Sequence, residues 1–311
     1  MNRQRIPTGT VALSLVHATL LVLAWSASAA DVPTPAQAAV PAATKAPIET
    51  PTSSEFEKSL PAEATLAGRE IYDRFLKNRN KLRSAFQYGR IESKDPGGRP
   101  QEVRFWLHAK DYRDADEKSV GDVYGKTLIK LIGPTEMRHF GYLYVHHDKA
   151  DDEQFMYSPQ RRRSHRVSLK GQNIASTDFS FDDFLVSAHD LEDADYTRLP
   201  DAVVDGVSCY VVEARLKPEA RSVYSRTISY LEREHYVPVR TLYWDDAGVE
   251  TKRLTSPHAS IRNFDGVWIA TIATMTDLLE ETSSTYHLEK LEPNVELDDS
   301  DFSISSLQYA P

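Results

Sequence analysis

From residue 95 onward the chain is a succession of strand-length runs cut by tight-turn signals, with no helical run between them. EVRFWLHA (Glu102–Ala109) alternates Val103, Phe105 and Leu107 against Arg104 and His108. GKTLIKLIG, FGYLYVHH, VSCYVVEARL, YSRTISYLER, YVPVRTLYW and VWIATIATM follow, each of strand length and rich in β-branched and aromatic residues. DPGG, VDGV, DDAG and FDGV supply hairpin connections. Turns every 10–15 residues or so leave no room for crossover helices, so neighbouring strands must pair antiparallel. The expectation is a mainly β, α+β domain over residues 63–311, with about ten strands in one meandering sheet.

Two of these runs are apolar on both faces. In the tyrosine-rich strand, Tyr224, Ile228 and Tyr230 share one face, while Val223, Thr227 and Leu231 share the other. YVPVRTLYW behaves alike. A sheet of this kind either packs a second layer or curls round a cavity. A filled sandwich and a curved sheet holding an apolar hollow both satisfy the pattern. Ahead of the strands, ATLAGREIYDRFLKNRNKLRSAF (64–86) places Leu66, Ile71, Phe75 and Leu82 near one face of an amphipathic helix.

The first thirty residues have the layout of a secretory signal. Arg3 and Arg5 precede the apolar run TVALSLVHATLLVLAW, and small residues at Ala27–Ala30 suit cleavage. An uncleaved anchor is the alternative. No cysteine follows the apolar run, which disfavours a lipid-anchored version. Residues 31–62 hold six of the 17 prolines and seven alanines, the composition of an extended tether reaching roughly 30 Å. These features lead to the expectation of a chain exported across the inner membrane.

Several chemistries find no support. The net charge of −9 argues against nucleic acid as a partner. Cys209, the sole cysteine, can form no internal disulfide and sits mid-strand as a small hydrophobe. His146 and His147 are adjacent and point to opposite faces of a strand, and no HExxH, GxSxG or SxxK pattern occurs. DDSD (298–301) lacks the spacing of a calcium loop and reads instead as the cap of a short helix over FSISSLQ, with Asp301 at the cap. No enzyme, metal or cofactor is expected.

One stretch stands out: YSPQRRRSHRVSLKGQNIASTDFSFDDF (157–184). Arg161, Arg162, Arg163 and Arg166 could receive phosphate-bearing headgroups. Equally, they could pair with Asp178, Asp182 and Asp183 in an internal network. Asp178 or Ser180 would cap a short helix containing Asp182–Val186.

The same stretch resembles the signature of the outer-membrane lipoprotein-sorting-protein-like family (LolA/LolB-like carriers), in which a Tyr-x-Pro strand and an arginine-rich run precede an F-x-Y-x-D motif. VDGVSCYVVEARLKP, the strands through DDAGVETK, and the closing DDSDFSISSLQ are similar to later parts of it, so the likeness spans 65–309. Two positions depart: Ile174-Ala-Ser-Thr-Asp replaces an aromatic-x-Gly, and Phe155 replaces a tryptophan. The resemblance implies a curved antiparallel half-barrel covered by an N-terminal helix and short helices. It further implies a non-enzymatic periplasmic carrier of lipid or lipoprotein acyl chains, working beside an inner-membrane export pump. On that reading Phe105, Leu107, Ile129, Leu131, Met156, Tyr210, Val212, Ile228, Tyr230 and Ile269 line the hollow. Phe179, Phe181 and Phe184 form a flap, and Arg161–Arg166 contact headgroup or partner. The alternative is an accessory subunit of such a pump with no lipid ligand.

Overall fold

The computed structural model of the protein describes residues 66–308, apart from 96, 115–117, 120, 185–190, 219 and 221. The signal and tether assignments lie outside these residues.

Helix α1 (Gly68–Asn80) buries Ile71, Tyr72 and Leu76 on one stripe, with Lys77 and Arg79 in its last turn where the helix dipole favours cations. The helix ends well before Phe86, the limit expected from periodicity. From Ser84 the backbone pairs on both sides, and this tertiary pairing overrides local helix propensity.

The strands are β1 (Ser84–Lys94), β2 (Pro100–Asp111), β3 (Val123–Gly133), β4 (Gly141–His147), β5 (Glu153–Ser158), β6 (Arg163–Arg166), β7 (Ala194–Val204), β8 (Val207–Leu216), β9 (Arg226–Glu232), β10 (Pro238–Trp244), β11 (Glu250–Thr255), β12 (Ile261–Phe264), β13 (Val267–Ala270), β14 (Ile272–Asp277) and β15 (Thr282–Pro293). Thirteen form one open, curved antiparallel sheet in the order β6-β5-β4-β3-β2-β1-β15-β14-β11-β10-β9-β8-β7. Asp205-Gly206 and Asp265-Gly266, all at positive φ, make the tight hairpins that VDGV and FDGV foretold. The count exceeds ten because polar strands such as β7 and β15 lack a strong apolar signal. VWIATIATM also divides: β13 pairs only with β12 in a separate hairpin, whereas β14 joins the main sheet. The break falls at Thr271, whose N–H donates to the Ser260 carbonyl.

Register assigns the faces. On the inner face, Phe105 faces Leu131 and Leu107 faces Ile129 across the β2–β3 pair. On the outer face Trp106, Leu128 and Leu143 are buried beneath Phe302 and Leu307 of the C-terminal segment. That segment is a 3₁₀ turn (Asp299–Phe302) rather than the helix expected over FSISSLQ. Asp298 takes the cap position, and its N–H donates to the Asp301 carboxylate at 2.9 Å.

The inner face is covered in two places. At one end α1 packs Ile71, Tyr72 and Leu76 onto Val212 and Leu231. Gly68 lets it approach closely, since a Cβ there would lie 2.5 Å from the Arg198 nitrogen. Towards the other end, residues 169–181 press Leu169, Ile174, Phe179 and Phe181 onto β2, β3 and β4. Helix α2 (Phe181–Phe184) follows, capped by Ser180, whose N–H donates to Asp183 at 2.7 Å while its hydroxyl accepts from the Asp183 N–H at 3.2 Å.

Candidate functional site

Between α1 and the inner face lie two adjoining cavities of about 420 Å³ and 740 Å³ that share Phe75, Arg79, Arg113, Tyr243 and Leu254 in their walls. The smaller is largely apolar, walled by Leu107, Ala109, Phe179, Met275 and Tyr286. The larger is more polar, with Tyr144, His146, Asp182, Asp183, Tyr224 and Ser229 facing it. Enclosure shows in the titratable groups. Burial raises the Asp182 carboxyl and, more strongly, the Tyr224 hydroxyl, which also donates to Asp183 at 2.7 Å.

The ten residues expected to line a hollow divide into four groups. Leu107 and Ile269 wall the smaller cavity. Phe105, Ile129 and Leu131 share its face but are buried beneath the 169–181 segment, with Met156 packed at the margin of that cluster. Tyr210 and Val212 lie on the same face under α1. Ile228 and Tyr230 belong to the opposite face: Tyr230 pairs with Val211 and packs against the Cys209 cluster, while its neighbour Leu231 contacts α1. The expected face of β9 is thus inverted, because its two sides are equally apolar and only pairing fixes the register.

The aromatic flap is a fixed plug. Phe179 and Phe181 are 4% and 3% exposed, and Phe181 packs on Tyr142 with ring centroids 4.6 Å apart. Phe184 ends α2, and its side chain lies outside the described residues. The four arginines lie on the β5–β6 hairpin at the sheet edge, from which Arg166 reaches the wall of the larger cavity. Among the described residues, Arg161, Arg162 and Arg163 make no ion pair, and Arg166 approaches Glu153 at 3.8 Å. The internal network with the aspartates does not form. Asp178 is taken by Thr282 and Ser284, Asp182 by the Gly171 N–H, and Asp183 by Ser180 and Tyr224.

A family model described only as an uncharacterized protein matches residues 124–309, more than half of the chain. Among solved structures, the fold is similar to a putative outer membrane lipoprotein-sorting protein domain from Vibrio parahaemolyticus (TM-score 0.65, 19% identity, covering 76% of this chain and 98% of that one). A LolA superfamily protein from Nitrosomonas europaea gives a TM-score of 0.59 at 14% identity, covering 77% and 98%. A DUF1329 family protein from Desulfovibrio piger gives 0.69 at 22%, covering 78% and 100%. The chain belongs to the family of that model, and it shares the LolA-like fold of these structures. No curated protein sequence matches it.

The hollow also carries cationic residues that the sequence did not single out. Arg79, Arg83 and Arg113 all line the smaller cavity. Arg113 forks onto Asp111 at 2.7 Å, and Arg83 approaches the same carboxylate at 3.4 Å. Lys110 and Lys126, also at the wall, lean towards Asp299 at 3.2 and 3.8 Å. In sequence, KNRNK reads as the solvated side of a helix. The turn of α1 towards the sheet is what brings Arg79 inward. His146 faces the hollow and stacks with Tyr124 at 5.6 Å, and His147, at the end of β4, meets Asp122 at 2.6 Å and also reaches the wall of the larger cavity.

Proposed function

We propose that this protein is a periplasmic carrier that takes acyl chains of a lipid or lipoprotein into the hollow between α1 and the inner face of the sheet. The observation that supports it is the apolar cavity walled by Leu107, Ala109, Met275 and Tyr286, of a size suited to a small-molecule ligand. Transfer of each methylene from water into such a wall contributes about 0.8 kcal/mol, so one chain is held without any covalent step. The similar fold of a putative outer membrane lipoprotein-sorting protein domain supports the same reading. On this reading the cavity works by binding, and a membrane export pump would be the docking partner that loads or unloads it.

The test is native mass spectrometry of protein purified from a lysate that retains membranes, together with uptake of a fluorescent fatty acid by the delipidated chain. A co-purifying acyl lipid and saturable uptake are expected. Absence of both sinks the carrier reading.

A further inference from the structure

Arg79 occupies the wall common to both cavities, on the last turn of α1. Among the described residues its guanidinium makes no hydrogen bond, ion pair or ring contact. Its electrostatic neighbours are the tyrosines Tyr72, Tyr124 and Tyr243 and a second cation, Arg113. Burial lowers its pKa, yet a guanidinium stays protonated in any protein setting. Other arginines among the described residues differ. Arg69, Arg74, Arg90, Arg113 and Arg198 are bonded to side chains, and Arg161–Arg163 lie in water. A half-buried charge with neither arrangement is costly unless something else neutralises it.

The immediate surroundings do not. Arg83 and Arg113 share the carboxylate of Asp111, and the other acid in the smaller cavity's wall, Asp183, is engaged by Ser180 and Tyr224. The same cavity's wall also carries the apolar Leu107, Ala109, Met275 and Tyr286. Cation and hydrocarbon in one wall are the makings of a site for an anionic amphiphile.

We propose that Arg79 receives the oxyanion headgroup of a single-chain acyl lipid, a carboxylate or a phosphate, whose chain runs along that apolar wall. The proposal rests on the carrier reading and narrows it. A fully N-acylated lipoprotein terminus carries no charge and would leave Arg79 unanswered, whereas a fatty acid or lysophospholipid presents two oxygens to the guanidinium fork.

The test uses the delipidated full chain, R79Q and R79K, titrated with a fluorescent fatty acid and with its methyl ester. The wild type should prefer the acid by about tenfold or more, as expected for loss of a charge-assisted pair. R79Q should lose that preference with ester binding unchanged, and R79K should retain part of it. Equal binding of acid and ester by the wild type, or an undiminished preference in R79Q, overturns the proposal while leaving the carrier reading intact. Uptake of neither probe overturns both. Competition by lysophosphatidic acid against palmitate then identifies the headgroup, and a stronger effect from either one supports the site. Thermal melting supplies the structural control: R79Q should melt at or above the wild-type midpoint, because an unpaired charge is removed. A fall of about 5 °C or more would assign Arg79 a structural role instead.

Discussion

Ser284 meets Asp178 twice: its hydroxyl donates to the Asp178 carboxylate and accepts from the Asp178 N–H at 2.9 Å. Thr282 donates to the same carboxylate, and the buried ammonium of Lys252 donates to the Asp178 carbonyl at 2.7 Å. These bonds staple the 169–181 segment to β15 and β11. They explain why Phe179 and Phe181 are packed wall rather than a loose cover. Ser284→Ala removes both bonds and leaves a buried carboxylate short of a donor. It should cost about 1.5–3 kcal/mol in urea denaturation, and a loss under about 0.5 kcal/mol would show that the segment is held by packing alone.

Ala273 faces the smaller cavity beside Tyr286. Ala273→Phe should fill the space and lower fatty-acid affinity at least about tenfold, with the fold intact by circular dichroism. Undiminished uptake would place the ligand outside this cavity.

Gly68 abuts the backbone of Thr197 and Arg198, so Gly68→Ala must push α1 off β7. Despite the better helix propensity of alanine, a loss of about 1–3 kcal/mol is expected. An unchanged or raised melting temperature would contradict the close approach.

Lys130, 2% exposed, donates to the Leu307 carbonyl under the C-terminal segment, and burial pulls its ammonium down to about 8. The unfolded chain keeps that proton up to its ordinary value of 10.5. Between these values the unfolded state binds more protons, so the penalty present below pH 8 is relieved as pH rises. Wild type should gain about 2 kcal/mol over Lys130→Met between pH 8 and pH 10. The scan stops at pH 10, where tyrosines such as Tyr142, raised by burial to about 12, begin to favour unfolding. Parallel stability curves for the two proteins would refute the assignment.

Arg162 is exposed on the β5–β6 turn without an ion pair. Arg162→Glu should change stability by less than about 0.5 kcal/mol and leave fatty-acid uptake at wild-type level. A marked fall in melting temperature would mean that an internal charge network forms after all.

The antiparallel sheet, its hairpins and the amphipathic helix were legible in the sequence, because side-chain period and turn chemistry are local properties. Leu107 and Ile269 were legible as cavity residues only in part, since alternation reveals that two faces exist without saying which looks inward. In β9 both faces are apolar, so Ile228 and Tyr230 were read on the wrong side. The pairing of Tyr210 with Leu231 and of Val211 with Tyr230 decides the matter. Charge misled for a related reason. RRRSHR is conspicuous in one dimension, yet it lies on an edge hairpin, and none of its arginines pairs with the aspartates that follow it by about fifteen residues. Arg79, inconspicuous within KNRNK, is carried inward by the docking of Ile71, Tyr72 and Leu76 onto the sheet. The sequence by itself determined the elements and their antiparallel pairing, through local propensity and period. Tertiary structure alone decided which cation faces the hollow and which aromatics close it, because both depend on long-range register and packing.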